Sequence, residues 1–116
     1  MIYDLAYIHK KKCIVTIEII DYMNKNIVVA NERFSFDDIL ILRNSGLKDC
    51  KNSFIYEFDM LSIDDEFYMV VFRDGAFITV NEEDREVDYL REIDSNIIEI
   101  LEDNRVEFLD KFVFKR

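Results

Sequence analysis

With 116 residues, half of them hydrophobic and 34 % charged, the chain has the size of one domain and ample material for a core, which excludes a disordered segment. Its formal net charge of −10 argues against nucleic acid and anionic membrane as partners and favours basic proteins or cations. No proline, two glycines and two widely spaced cysteines exclude low-complexity linkers, a Gly-rich phosphate loop, a disulfide framework and a paired-cysteine zinc site.

In chain order, residues 2–8 alternate weakly and predict a first strand, closed by the polar break Lys10-Lys11-Lys12. Residues 13–20 are rich in Ile on both faces and read as a central strand. Asn24-Lys25-Asn26 signals a turn, with 27–34 as the returning strand. Ser35, with Asp38 three residues on, fits a capping-box variant and predicts a short helix over 36–43 that Gly46 stops; the β-branched content leaves a strand as the alternative. A strand over 54–60 follows. Residues 66–73 and 76–80 then form a hairpin around Asp74-Gly75, a pair suited to a type I′ turn.

From Asn81 onward the pattern changes. Asn81 can cap a helix, Asp84 can reach back to it, and Glu82 and Glu83 suit the positive end of the helix dipole. At about 100° per residue, Val87, Leu90, Ile93, Ile97, Ile98, Ile100 and Leu101 share one half of the wheel. Asp88, Glu92, Glu99 and Asp103 lie opposite. Glu86 and Asp94 land on the apolar half, so a break near Asp94-Ser95 is expected, with Ser95 capping a second helix. Val106, Leu109, Phe112 and Val113 continue the helical spacing, although 112–115 also alternate as a strand would. The expected fold is one α+β domain over 1–116: an antiparallel sheet of about five strands packed by one or two C-terminal helices.

The residues of catalysis are sparse. His9 is the sole histidine, which excludes a two-histidine metal site. His9 and Cys13 lie four apart beside a lysine run, a setting a reactive thiol could use, but a strand-end histidine and two buried free thiols, Cys13 and Cys50, in a reducing cytosol are the commoner arrangement. Asp64-Asp65-Glu66 clusters hard oxygen ligands without the spaced ligands or central glycine of an EF-hand loop, and reads equally as a polar turn. The lysine run alone is a weak nucleic-acid signal and reads as a hairpin turn. No catalytic signature and no cofactor motif is present, so a non-enzymatic protein is expected. The N-terminus lacks the basic region of a secretion signal, and no apolar run approaches the ~20 residues of a bilayer span, which points to the cytoplasm.

Charge is the informative feature. Residues 82–110 hold twelve Asp/Glu against three Arg and no Lys, a net −9, whereas residues 1–60 hold nine acids and eight bases. The bland explanation is the solvent side of an amphipathic helix. Against it, Asp88/Glu92 and Glu99/Asp103 are like-charged at a spacing where Glu–Lys pairs would gain ~0.2–0.5 kcal/mol. That is a cost without a folding benefit, and a basic partner would supply one. The sequence thus predicts a binding or inhibitor protein of the immunity type. It would neutralise a basic protein, such as a nuclease toxin or another nucleic-acid-handling enzyme, by covering its substrate groove. Asp88, Glu92, Glu99, Glu102 and Asp103 would form the contact face, Asp64, Asp65 and Glu66 a second edge, and Tyr68 and Tyr89 aromatic anchors. In composition the chain is similar to bacterial toxin-immunity proteins and phage-encoded inhibitors, with no motif tying it to one family. The alternative is a structural or assembly protein whose acidic face serves self-association or solubility.

Overall fold

The computed structural model of the protein describes residues 3–101 and 105–114. It is α+β: antiparallel strands dominate, five of them in one sheet, and among the described residues the α-helix is one short C-terminal turn. The chain packs as two compact units, Met1–Arg43 with Asn104–Arg116, and Asn44–Asp103.

In the first unit β1 (Leu5–Ile8) is the middle strand, flanked by β2 (Cys13–Thr16) and by a later strand, Ile39–Leu42. The lysine run forms the expected turn, a 3-10 turn over His9–Lys11 closed by Lys12 in the left-handed region at φ 48°. Three expectations for this unit are corrected. Residues 13–20 are not one central strand: β2 is an edge, and the chain bends at Ile17, whose N–H donates to the Asp4 carbonyl at 3.1 Å, before β3 (Ile19–Asp21). Residues 27–34 are two strands, β4 (Asn26–Val29) and β5 (Glu32–Ser35), reversed by Ala30 and Asn31 at φ 50° and 65°. The left-handed pair is that of a tight hairpin turn, but alanine gives no signal of it in the sequence. Finally, the helix expected over 36–43 shrinks to a 3-10 turn, Phe36–Asp38. Ser35 Oγ does accept from the Asp37 N–H at 3.2 Å, yet β6 (Ile39–Leu42) then pairs along the whole of β1, the strand alternative its β-branched residues allow. Ala6, Ile8, Ile17, Ile27, Phe34 and Ile39 form the core of this unit.

The C-terminal segment follows its expected helical spacing as α1 (Arg105–Phe108) and a π-helical turn, Leu109–Val113, so residues 112 and 113 are not strand. Buried Leu109 and Phe114 anchor it, Phe114 stacking on the His9 ring at 4.5 Å. Asp110 Oδ1 accepts from the Tyr7 hydroxyl and the Lys12 ammonium, and His9 Nδ1 lies against the same oxygen, each at 2.8 Å. These bonds, Lys12's foremost and then Tyr7's, pull the Asp110 carboxyl down to about 2. Burial, and then the hydrogen bond to Asp110, push the Tyr7 phenol up to about 12.

In the second unit β7 (Asn44–Lys48) pairs with β8 (Phe54–Tyr56), so the strand expected over 54–60 is broken by Phe58 at φ 69° and resumes as β9 (Met60–Ile63). The predicted hairpin is present residue for residue as β10 (Glu66–Arg73) and β11 (Ala76–Val80), with Asp74 and Gly75 at φ 51° and 79°. The helices expected from Asn81 to Leu101 do not form. Asn81 Oδ1 accepts from the Glu83 and Arg85 N–H groups, both at 3.0 Å, and closes a loop rather than a helix. β12 (Glu86–Tyr89), 3-10 turns at Leu90–Glu92 and Ser95–Ile97, and β13 (Ile98–Leu101) follow. Asp94, not Ser95, is the cap, accepting from the Asn96 N–H at 2.9 Å. The sheet order is β12-β11-β10-β9-β13, all antiparallel. Cys50 is exposed rather than buried, and Cys13 is half-buried; both are free thiols.

Candidate functional site

The sheet order of the second unit dictates one of its concave surfaces. β12 and β13 are opposite edges, so the segment joining them, residues 90–97, must cross one face of the sheet. Leu90 and Ile93 hold it there, packed with Leu61, Ile63, Val70 and Ile98. Cross-strand register places Ile63, Glu66, Tyr68, Thr79 and Asp88 on that same face, because Ile63 pairs with Glu66, and Thr79 with both Val70 and Asp88. Between the crossing segment and the sheet end lies a groove of about 480 Å³. Five carboxylates line it, those of Asp64, Glu66, Asp88, Glu92 and Asp94, together with Ile63, Tyr68, Thr79, Val87, Ile93 and Ile97.

The groove therefore gathers five residues expected from the sequence: Asp64, Glu66, Tyr68, Asp88 and Glu92. Asp88 and Glu92 were expected on one helical face; a strand followed by a 3-10 turn brings them together instead. Asp64 and Asp65 are the two left-handed residues, φ 51° and 67°, of the β9–β10 turn, the polar turn the sequence suggested, and Asp65 does not line the groove. Tyr89 lies beside a neighbouring depression that shares Val87, Asp88 and Glu92 with the groove, and the Arg91 guanidinium covers its ring at 4.8 Å. Glu99 is elsewhere, on β13, paired with Lys51 at 3.0 Å. Glu102 and Asp103 lie outside the described residues. Asp94, Thr79, Val87 and Ile97 were not singled out by the sequence: Val87 and Ile97 share the apolar half of the wheel and read as core, yet are 44 % and 42 % exposed.

Ion pairing divides the acids of this unit. Outside the groove, Asp84 and Glu86 meet Arg73 at 2.7 and 3.7 Å, Glu83 meets Arg85 at 3.2 Å, and Glu99 meets Lys51. Within it, no cation among the described residues pairs with Asp64, Glu66, Asp88, Glu92 or Asp94. Glu66 accepts only the Tyr68 hydroxyl, at 2.7 Å. That hydrogen bond, then desolvation, then the negative charges of Glu66, Asp88 and Asp64 raise the Tyr68 phenol above its ordinary pKa. Residues 44–103 as a whole hold 17 Asp/Glu and five Lys/Arg, net −12, while the rest of the chain holds eight and ten, net +2. Such a focused negative field attracts cations and repels phosphates.

Among the described residues no group of three or more His, Cys, Asp or Glu is arranged to hold a metal ion. No helix among them is long and apolar enough to cross a membrane. Compared with protein-family models and with curated proteins, the sequence matches none of either.

Proposed function

We propose that this is an acidic binding protein of the immunity type, without catalytic activity of its own. It neutralises a basic protein, such as a nuclease toxin or another nucleic-acid-handling enzyme, by covering the groove where that enzyme holds its substrate. The observation that carries this reading is the division of the acids. Around the groove Glu83, Asp84, Glu86 and Glu99 each meet an arginine or lysine, whereas the five carboxylates inside it have no cationic partner among the described residues. Unpaired carboxylates beside exposed Val87, Ile97 and Tyr89 supply the two ingredients of a protein interface, apolar contact area and charge complementarity. A surface of net −12 also steers a cationic partner, raising association rates by roughly 10–10³-fold at low salt. In the complex, the groove carboxylates take the places of substrate phosphates.

The test is affinity capture from cells of the source, at low salt, with a salt gradient and mass spectrometry. One stoichiometric basic protein is expected, released by salt and lost from the Asp88→Lys/Glu92→Lys variant but retained by Glu99→Lys, whose carboxylate lies outside the groove. Equal capture by all three proteins would overturn the assignment of the groove. Self-association with no captured protein would move the reading to the assembly alternative.

A further inference from the structure

We infer that the groove seats arginine side chains from an extended segment of the basic partner, with the aliphatic stem against Val87, Ile93 and Ile97 and the guanidinium between Tyr68 and the carboxylates of Glu66 and Asp88. This rests on the reading of the protein as a binder of a basic protein and specifies what that partner presents.

The walls select the occupant. Val87 and Ile97 expose large apolar surface beside carboxylates that have no cationic partner among the described residues. A small hydrated cation would satisfy the charge and leave that apolar surface wet. A long aliphatic stem with a charged head covers both, because such side chains lay their methylenes on apolar surface and keep the charge at the polar end. A second copy of this chain is a poor occupant, since two surfaces of net −12 would face each other.

Between the two basic residues, the groove favours arginine. Its planar fork carries five donors and can bridge two carboxylates at once, whereas an ammonium is a compact, strongly hydrated point charge. Tyr68 adds an aromatic wall of the kind a guanidinium stacks on. That packing already occurs within the chain at the neighbouring depression, where Arg91 lies over the Tyr89 ring.

Two capped peptides of equal charge, hexa-arginine and hexa-lysine, are the probes, titrated into the full chain by calorimetry and by NMR at about 0.15 M salt, where long-range attraction is screened beyond ~8 Å. Hexa-arginine is expected to bind at least about tenfold more tightly than hexa-lysine. Resonances of the Tyr68 ring and of the Thr79 and Ile97 amides should shift. The isosteric pair Glu66→Gln/Asp88→Asn should abolish the preference, and Glu99→Gln/Glu107→Gln, which removes the same charge elsewhere, should keep it. Thermal melting of each variant confirms that it is folded. Equal affinity for the two peptides, or equal losses in the two double variants, would overturn the arginine seat while leaving a general acidic binder standing. Absence of binding by either peptide would overturn the seat and count against the basic-partner reading as well.

Discussion

Leu90 is the hinge pin of the groove, and its truncation tests the geometry directly. Its side chain is 1 % exposed and sits among Ile55, Leu61, Ile63, Val70 and Ile98, fixing the start of the crossing segment to the sheet. Leu90→Ala removes roughly three methylene equivalents at about 0.8 kcal/mol each, so transfer alone costs about 2.4 kcal/mol. The space left behind raises the expected loss, as core Leu→Ala changes cost about 2–5 kcal/mol in total. That is a large part of a domain stability of about 5–15 kcal/mol. Ile97→Ala is the matched control: it lies at the far end of the same segment but is 42 % exposed, so it should cost less than about 1 kcal/mol. Urea unfolding followed by far-UV circular dichroism gives both values from the midpoint and slope. A loss below about 1 kcal/mol for Leu90→Ala, or equal losses for the two variants, would show that the segment is not anchored as described.

Four further outcomes are expected. Asp49 is 6 % exposed and accepts from the Lys51, Ser53 and Ile100 N–H groups at 3.0, 2.9 and 3.2 Å, so Asp49→Ala should cost about 1–3 kcal/mol by leaving three part-buried donors without their acceptor, as read by urea unfolding. Asp110 titrates at about 2 in the folded protein against 3.8 for the free carboxyl, so its contribution is fully present above pH 3.8 and is lost as pH falls through about 2. Asp110→Asn should therefore flatten the acid limb of the stability profile, and carboxyl NMR should place the Asp110 midpoint near 2. Among the six tyrosines, Tyr7 should ionise last, near pH 12, in an ultraviolet titration, and Asp110→Asn should lower that value. Gly75→Ala meets no atom within 4 Å of the new Cβ, so its cost is the left-handed backbone alone, about 1 kcal/mol by thermal melting.

Legibility in the sequence followed locality. The β10–β11 hairpin could be read because Asp74-Gly75 announces its own turn and the flanking residues alternate. The α+β class followed from strands arriving in runs. The region 82–101 misled because its local signals were real but differently used. Asn81 and Asp94 do accept backbone N–H groups in the manner of caps, closing a loop and a 3-10 turn where a helix was expected. Whether Ile98 and Ile100 extend a helix or pair with β9 is decided by Ile63 and Leu61, which no window around residue 98 contains. The same holds for β6, drawn into strand by β1, more than thirty residues upstream. Of the residues that acid density singled out, together with Tyr68, five converge on one groove. The pairing of Glu99 with Lys51 and the exposure of Val87 and Ile97 depend on contacts across the fold, so the sequence pattern carried no trace of them.

The concentration of acid in residues 44–103 also bears on the energy of the free protein. Like charges held within one small unit push against the fold that holds them, and this strain has no outlet while the chain is alone in dilute salt. Dissolved cations screen it, so the stability of the isolated chain is tied to ionic strength, rising as salt is added.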